Sequence, residues 1–272
     1  MKLSPVSFNL NNQTRNNKIQ NQPRLKPMAF DSVSFSANIP KSVFQEASNN
    51  ALLGFLDSEN SYRRACLREF FIQDDEIIAK ALQEADDKAR KTFCTNEAVL
   101  NEAFGKNKIH LILQTAKNDS ELMELLNCNI LDWRIRGEEF RGPLKMMLSV
   151  SDFVAVLERL KTPNKKQLLL GEYTYENNDG CFYATFHETY AEKMNRIAKS
   201  EDYSKCYKKF FKLPTEQEQK RLGNIILEVI QDEETTNEEA LKLISLYGNR
   251  FFTFYDTLYF EELEKYLKSQ IN

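Results

Sequence analysis

From residue 42 onward the apolar positions recur at helical spacing. Ser42 with Gln45 reads as a capping box ahead of Val43, Phe44, Ala47, Ala51, Leu52 and Phe55, which share one broad helix face. Leu67, Phe70 and Phe71 mark a second helix over about residues 61–72. Asp74-Asp75-Glu76 then places acids where they suit the dipole of a new helix, followed by Ile77, Ile78, Ala81, Leu82 and Ala85. Further helices are predicted over 96–104, 108–116, 120–126, 143–150 and 152–160. Thr215 with Glu218 and Thr236 with Glu239 form capping boxes before the apolar runs 222–230 and 240–246, and a last helical region spans 251–268. Ile109–Leu113 and Leu168–Leu170 have strand length but lie among helix formers, so the pattern predicts no strand pair and an all-α body.

The short helices come in pairs. Lys108-Ile109-His110-Leu111-Ile112 precedes Glu121–Leu126. Gly142-Pro143-Leu144-Lys145-Met146-Met147 precedes Phe153–Leu160. Asp179-Gly180 reads as a turn before another pair, with Glu192-Lys193-Met194 opening its second helix. Leu67–Phe71 with Asp75–Ile78, and Phe252–Leu258 with Glu261–Leu267, read the same way. These segments resemble worn ankyrin repeats, whose units of about 33 residues carry T-P-L-H-x-A at the first helix. The resemblance covers about residues 58–268. Its anchors Leu67, Ile109, Leu144, Ala184, Leu222 and Phe252 are 42, 35, 40, 38 and 30 residues apart, a looser period than consensus repeats keep. The resemblance implies an α-solenoid of stacked helix pairs, with a concave face and turn tips that bind another protein. It also gives His110 a structural hydrogen bond in place of a catalytic role.

Composition agrees with helices. The chain has 8 glycines in 272 residues, against about 19 at the usual frequency, too few for the many φ > 0 turns of an all-β fold. Residues 1–40 differ from the rest. They hold four of the seven prolines and ten Asn or Gln residues, and no period persists, so they read as a disordered tail before a helical-repeat domain over 41–272. Within the tail, Met28–Ser36 alternates apolar and polar residues and is suited to join a partner's sheet edge as a strand. The tail carries Lys2, Arg15, Lys18, Arg24 and Lys26 against Asp31. Since the whole chain is at −3, the body is at −7, which disfavours a primary role in gripping phosphate backbones.

Candidate chemistry is sparse. Cys66, Cys94, Cys128, Cys181 and Cys206 are odd in number, with no CxxC, and read as free thiols of a cytoplasmic protein. No apolar run is long enough for a membrane span. The polar, basic tail leaves export by a non-classical route as the alternative address. His187-Glu188-Thr189-Tyr190-Ala191 misses the second histidine of H-E-x-x-H, so no metal site is assigned. No catalytic residue and no cofactor are assigned either. The interleaved aromatics and lysines of 203–212 resemble a single-stranded RNA binder, but on a helix Tyr203, Tyr207 and Phe210 share a face as a core stripe would.

The expected function is therefore a protein–protein interaction module. Its contact residues are Trp133, Arg134, Arg136 and Glu138 at one turn tip, and Tyr173, Tyr175, Asn178 and Asp179 at the next. The alternatives are a delivered effector or enzyme with a hidden cysteine or acidic site, and RNA binding at 203–212.

Overall fold

The structure, a computed structural model, describes residues 41–132, 139–178, 183–199, 215–248 and 257–271. Among these residues it is mostly helical, with one small sheet. The chain runs through α1 (Lys41–Asp57), α2 (Asn60–Phe71), α3 (Asp75–Glu84), α4 (Asp87–Cys94), α5 (Glu97–Gly105), α6 (Ile109–Gln114) and α7 (Asp119–Asn127). Strands β1 (Asn129–Asp132) and β2 (Glu139–Pro143) follow, then α8 (Leu144–Met147), α9 (Val150–Arg159) and α10 (Thr162–Leu170). Strands β3 (Glu172–Asn178) and β4 (Tyr183–Thr189) come next, then α11 (Tyr190–Lys199), α12 (Glu216–Ile230), α13 (Asn237–Tyr247) and α14 (Thr257–Ile271). Among the described residues no helix is long and apolar enough to cross a membrane.

The helices start where short polar side chains accept orphan backbone N–H groups. Asp86, Asn96, Asn118 and Ser149 accept from Ala89, Ala98, Glu121 and Asp152. Two of the three expected capping boxes form, Thr215 with Glu218 and Thr236 with Glu239. Ser42 lies inside α1, not ahead of it. Of the expected C-terminal pair, Leu258 and Glu261–Leu267 share one helix, α14, and residues 252–256 lie outside the described residues.

The all-α expectation is corrected by a four-stranded antiparallel sheet in the order β1-β2-β3-β4. Ala184, read as a helix anchor, lies in β4. The deciding pattern is alternation: Glu172-Tyr-Thr-Tyr-Glu-Asn-Asn and Tyr183-Ala-Thr-Phe-His-Glu-Thr put Tyr173, Tyr175 and Phe186 on one side and Thr174, Glu176, Thr185 and His187 on the other, at a period of two. Gly142 permits the close packing of β2 on β3, since a Cβ there would lie 2.5 Å from the Cβ of Tyr175.

One arrangement of helix, two strands and helix occurs twice, as α7-β1-β2-α8 and α10-β3-β4-α11. From α7 to α10 and from β1 to β3 the offset is 43 residues in both cases, with Asp119 matching Thr162 and Asn129 matching Glu172. Each of these helices buries its fourth, seventh and eighth residues: Leu122, Leu125 and Leu126 in α7, and Lys165, Leu168 and Leu169 in α10. The same positions of α13 bury Ala240, Leu243 and Ile244. That stripe is the core-facing side of an amphipathic helix. Contacts join near neighbours in chain order: α1 with α2, α3 and α4; α5 with α2, α4, α6 and β1; α12 with α9, α10 and α13; α13 with α14.

The ends of α7 and α10 define two edges. At their C-terminal ends lie the hairpins. At their N-terminal ends polar side chains tie successive helices. Lys117 pairs with Asp87, and Asp119 accepts from the Lys161 backbone N–H and from Asn164 Nδ2, both at 2.8 Å. Arg159 donates to the carbonyls of Leu113 and Ala116 at 2.7 and 2.8 Å. Arg221 pairs with Glu158, and Lys166 reaches Glu239 at 3.0 Å. Buried Lys165, where α7 has Leu122, extends its ammonium to Glu228 at 2.6 Å.

Candidate functional site

The strand register places the strand ends on either side of residues 133–138 and 179–182. β1 pairs antiparallel with β2, and β2 with β3, so β1 and β3 run the same way. The connections 133–138 and 179–182 therefore leave from the same end of the sheet, where Glu139 pairs with Asn178. Trp133, Arg134, Arg136, Glu138 and Asp179 lie outside the described residues, as do Cys181, Cys206 and 203–212. The chain ends that hold these loops are nevertheless adjacent, which sequence spacing alone did not indicate.

Tyr173 and Tyr175 lie inside β3, not at a turn tip, and Asn178 is its last residue, beside the connection 179–182. Tyr175 is 1% exposed and points inward, with its ring stacked on Phe186 at 5.3 Å. Its hydroxyl donates to Glu188 and accepts from Arg196, and Arg196 also pairs with Glu188 at 3.0 Å. Burial and then the hydrogen bond to Glu188 push the Tyr175 phenol far above its ordinary pKa. Burial works against the Arg196 charge, but the bonds to Glu188 and Tyr175 outweigh it and raise its pKa. Lys193 of α11 is fully buried, donates to the Met146 carbonyl and lies 4.9 Å from the centre of the Tyr175 ring. This inner layer holds the hairpin on α8 and α11. It is a structural knot.

Tyr173 is half-buried on the same side. Its hydroxyl donates to the Gln167 carbonyl at 3.0 Å, and the Lys145 ammonium sits 3.4 Å above its ring while donating to Asn127. Burial lowers the pKa of Lys145 to about 8. Of the residues expected to bind in β3, only Asn178 is exposed.

The opposite side of the sheet faces solvent and carries residues that the sequence reading missed. Arg141, Glu176 and Thr185 form one cross-strand row, and Thr174 pairs with His187 in another. Tyr183 is 59% exposed, and its phenol bonds Glu176, which raises its pKa. Thr174 Oγ1 and His187 Nδ1 are 3.0 Å apart. Glu172 lies 3.4 Å from His187 Nε2 and 3.0 Å from Lys242, and its hydrogen bond with Lys242 lowers its pKa. Arg141 reaches Glu97 of α5 at 3.7 Å. The missed signal was again the period of two: Thr174 and Glu176 alternate with the tyrosines, and His187 alternates with Phe186 and Glu188.

The remaining chemical candidates are placed as follows. Cys66, Cys94 and Cys128 are free thiols. Cys94 is buried, and burial pushes its thiol up to about 11, the state of an inert core cysteine, not a nucleophile. His110 Nε2 lies 3.2 Å from Asp75 Oδ2, tying α6 to α3. Among the described residues no group of three His, Cys, Asp or Glu side chains is arranged to hold a metal ion. An open groove of ≈ 1040 Å³ runs between α1, the α3–α4 turn and the α6–α7 turn. Its Asp87 is already shared by Arg90 and Lys117, which hold its carboxyl below the usual range.

No protein-family model matches the chain, and neither a curated protein nor a solved structure matches it.

Proposed function

We propose that the chain is a non-enzymatic protein-interaction module: an α-solenoid of ankyrin-like kind whose hairpins present a binding surface. The observation that carries the reading is the register of the sheet. It brings the ends of both hairpin loops together beside an exposed face containing Arg141, Glu176, Tyr183 and His187. The recurrence of helix and strand at 43 residues supports a repeat, although the unit is longer than the about 33 residues of the consensus. One such unit cannot bury its apolar stripe alone, and stacking gives it a neighbour. The free thiols favour a reducing compartment.

Tyr and Arg at a hairpin end are the residue types that dominate interface energetics, and truncating such an anchor costs about 2 kcal/mol or more of binding. Two double variants test the reading, Trp133→Ala with Arg136→Ala and Arg141→Ala with Tyr183→Ala. Each should weaken capture of a partner, identified by affinity purification with the native chain, by at least tenfold, with unchanged circular dichroism. Undiminished capture by both would remove this surface as the binding site.

A further inference from the structure

α2 and α5 pack on each other, and an open cleft of ≈ 460 Å³ lies between their outer sides. A second cleft of ≈ 290 Å³ adjoins it and shares Arg64, Asn101 and Glu102 with it. On the α2 side stand Arg64 and Arg68, both exposed and one helical turn apart, so their side chains are neighbours. Lys106, the C-cap residue of α5, faces them across the opening. Asn101 and Glu102 line the cleft from α5 and are nine-tenths buried, at 9% and 8% exposed. Asn101 Oδ1 accepts from the Leu131 backbone N–H at 2.8 Å, which leaves its Nδ2 donors for the cleft. Among the described residues no donor reaches the Glu102 carboxylate, and no acid engages Arg64, Arg68 or Lys106. A buried carboxylate is costly unless something pairs with it. Three cations line the same cleft as this one, and none of them closes on it. In the adjoining cleft Arg63 donates from Nη2 to the Ser58 carbonyl at 3.0 Å, while its buried Nε has no hydrogen-bond partner. The other carboxylate there, Glu97, is taken by Arg141.

We propose that the α2–α5 cleft binds a phosphate monoester whose organic part carries a hydroxyl, with the phosphate held by Arg64, Arg68 and Lys106 and the hydroxyl donating to Glu102. The charge of the cleft selects the anion. Arg64, Arg68 and Lys106 against Glu102 leave a net +2, and a phosphate monoester carries about −1.5 to −2 at neutral pH. A carboxylate ligand supplies half of that. Guanidinium groups meet phosphate oxygens with paired N–H donors, and two of them a helical turn apart grip one group from the same side. The floor of the cleft selects the rest of the ligand. Glu102 accepts only, so the group that reaches it is a donor. An ammonium there would cancel charge that the rim requires, whereas a hydroxyl satisfies the carboxylate and leaves the net charge of the ligand intact. Asn101 Nδ2 then donates to an ester or hydroxyl oxygen. The cluster is a local exception in a body whose net charge is −7. The same ester and hydroxyl occur in a soluble polyol phosphate and in a lipid headgroup, and the cleft reads what the two share. None of the residues that would hold the ligand belongs to the surface proposed for a protein partner, so either reading can fail without the other.

The experiment is isothermal titration calorimetry on the full chain with three soluble probes: glycerol 1-phosphate, methyl phosphate and glycerate. Glycerol 1-phosphate should bind. Methyl phosphate lacks the hydroxyl and leaves Glu102 unpaired, so it should bind more weakly by about tenfold or more. Glycerate keeps the hydroxyls but halves the charge and should also bind more weakly. Arg64→Ala with Arg68→Ala changes two exposed residues and should abolish binding of both esters with unchanged circular dichroism. Glu102→Gln should retain binding of methyl phosphate and narrow the gap between the two esters. A second arm reads the source of the ligand by co-sedimentation with phosphatidylcholine vesicles doped with lysophosphatidic acid, which present the same ester and hydroxyl on a surface. Retention on these vesicles but not on pure phosphatidylcholine supports the site and names a lipid headgroup. Binding of the soluble ester without retention supports it and names a soluble polyol phosphate. Binding of neither glycerol 1-phosphate nor the doped vesicles overturns the proposal. So does equal binding of the two esters, tighter binding of glycerate, or undiminished binding in the double arginine variant.

Discussion

Lys145 shows how a single residue departs from what its surroundings in sequence predict. Read along the chain it is a polar position in an amphipathic helix. In the fold it is 4% exposed, with Asn127 and the Tyr173 ring as partners and no carboxylate. Its folded pKa of about 8 lies below its ordinary value of 10.5. The folded state therefore binds fewer protons than the unfolded state between those two values, and stability rises with pH across that window. Urea midpoints of the native chain and Lys145→Met, compared from pH 7.5 to pH 10.5, should move in the native chain's favour as pH increases. A constant difference would place the ammonium in water. Sequence reading could not anticipate this, because the tyrosine that covers Lys145 is supplied by a strand 28 residues on and was itself assigned to a turn. Tyr175 was misplaced for the same reason: its identity suggested an interface anchor, while its neighbours in space, Glu188 and Arg196, make it the centre of a buried knot.

At the scale of elements, helices were legible and strands were not. A helix announces itself locally, through caps such as Thr215 and Thr236 and an apolar stripe at fixed spacing. The strands here are four to seven residues long and half solvent-facing, and each is stabilised by a partner distant in sequence. The ties between units were illegible for a similar reason, since Asp119 with Asn164, or Glu158 with Arg221, join separate helices. Asp87, Asp119, Glu158 and Glu239 all have folded pKa values lowered by the donors they accept from: Lys117 and Arg90 at Asp87, the Lys161 backbone and Asn164 at Asp119, Arg221 at Glu158, and the Thr236 backbone and Lys166 at Glu239. A depressed carboxyl contributes stability that is present above its unfolded pKa and is lost as pH falls through the folded one. Chemical denaturation should accordingly show stability declining below about pH 4, the ordinary carboxylate range. Asp119→Asn should lose part of that decline. An unaltered pH profile in that variant would show that the unit junction does not depend on its charge.

For the molecule as a whole, the loose spacing of the sequence anchors concealed a regular offset. Leu144 and Ala184 are not equivalent positions, because one opens α8 and the other sits in β4, whereas Asp119 and Thr162 are equivalent. If the units stack as proposed, the full chain should show the cross-sectional regime of an elongated body in small-angle scattering. A profile lacking that regime would indicate a compact helical domain. Such a stack has unlike materials along its two edges. One edge is laced by ion pairs such as Lys117–Asp87 and Arg221–Glu158, which salt screens; the other adds to ion pairs such as Lys242–Glu172 the backbone ladder of the sheet, which salt leaves alone. Like a strip made of two metals, it responds to a change that affects one of them more than the other by bending and not by lengthening. If the units stack as proposed, raising the ionic strength would loosen the first edge more than the second.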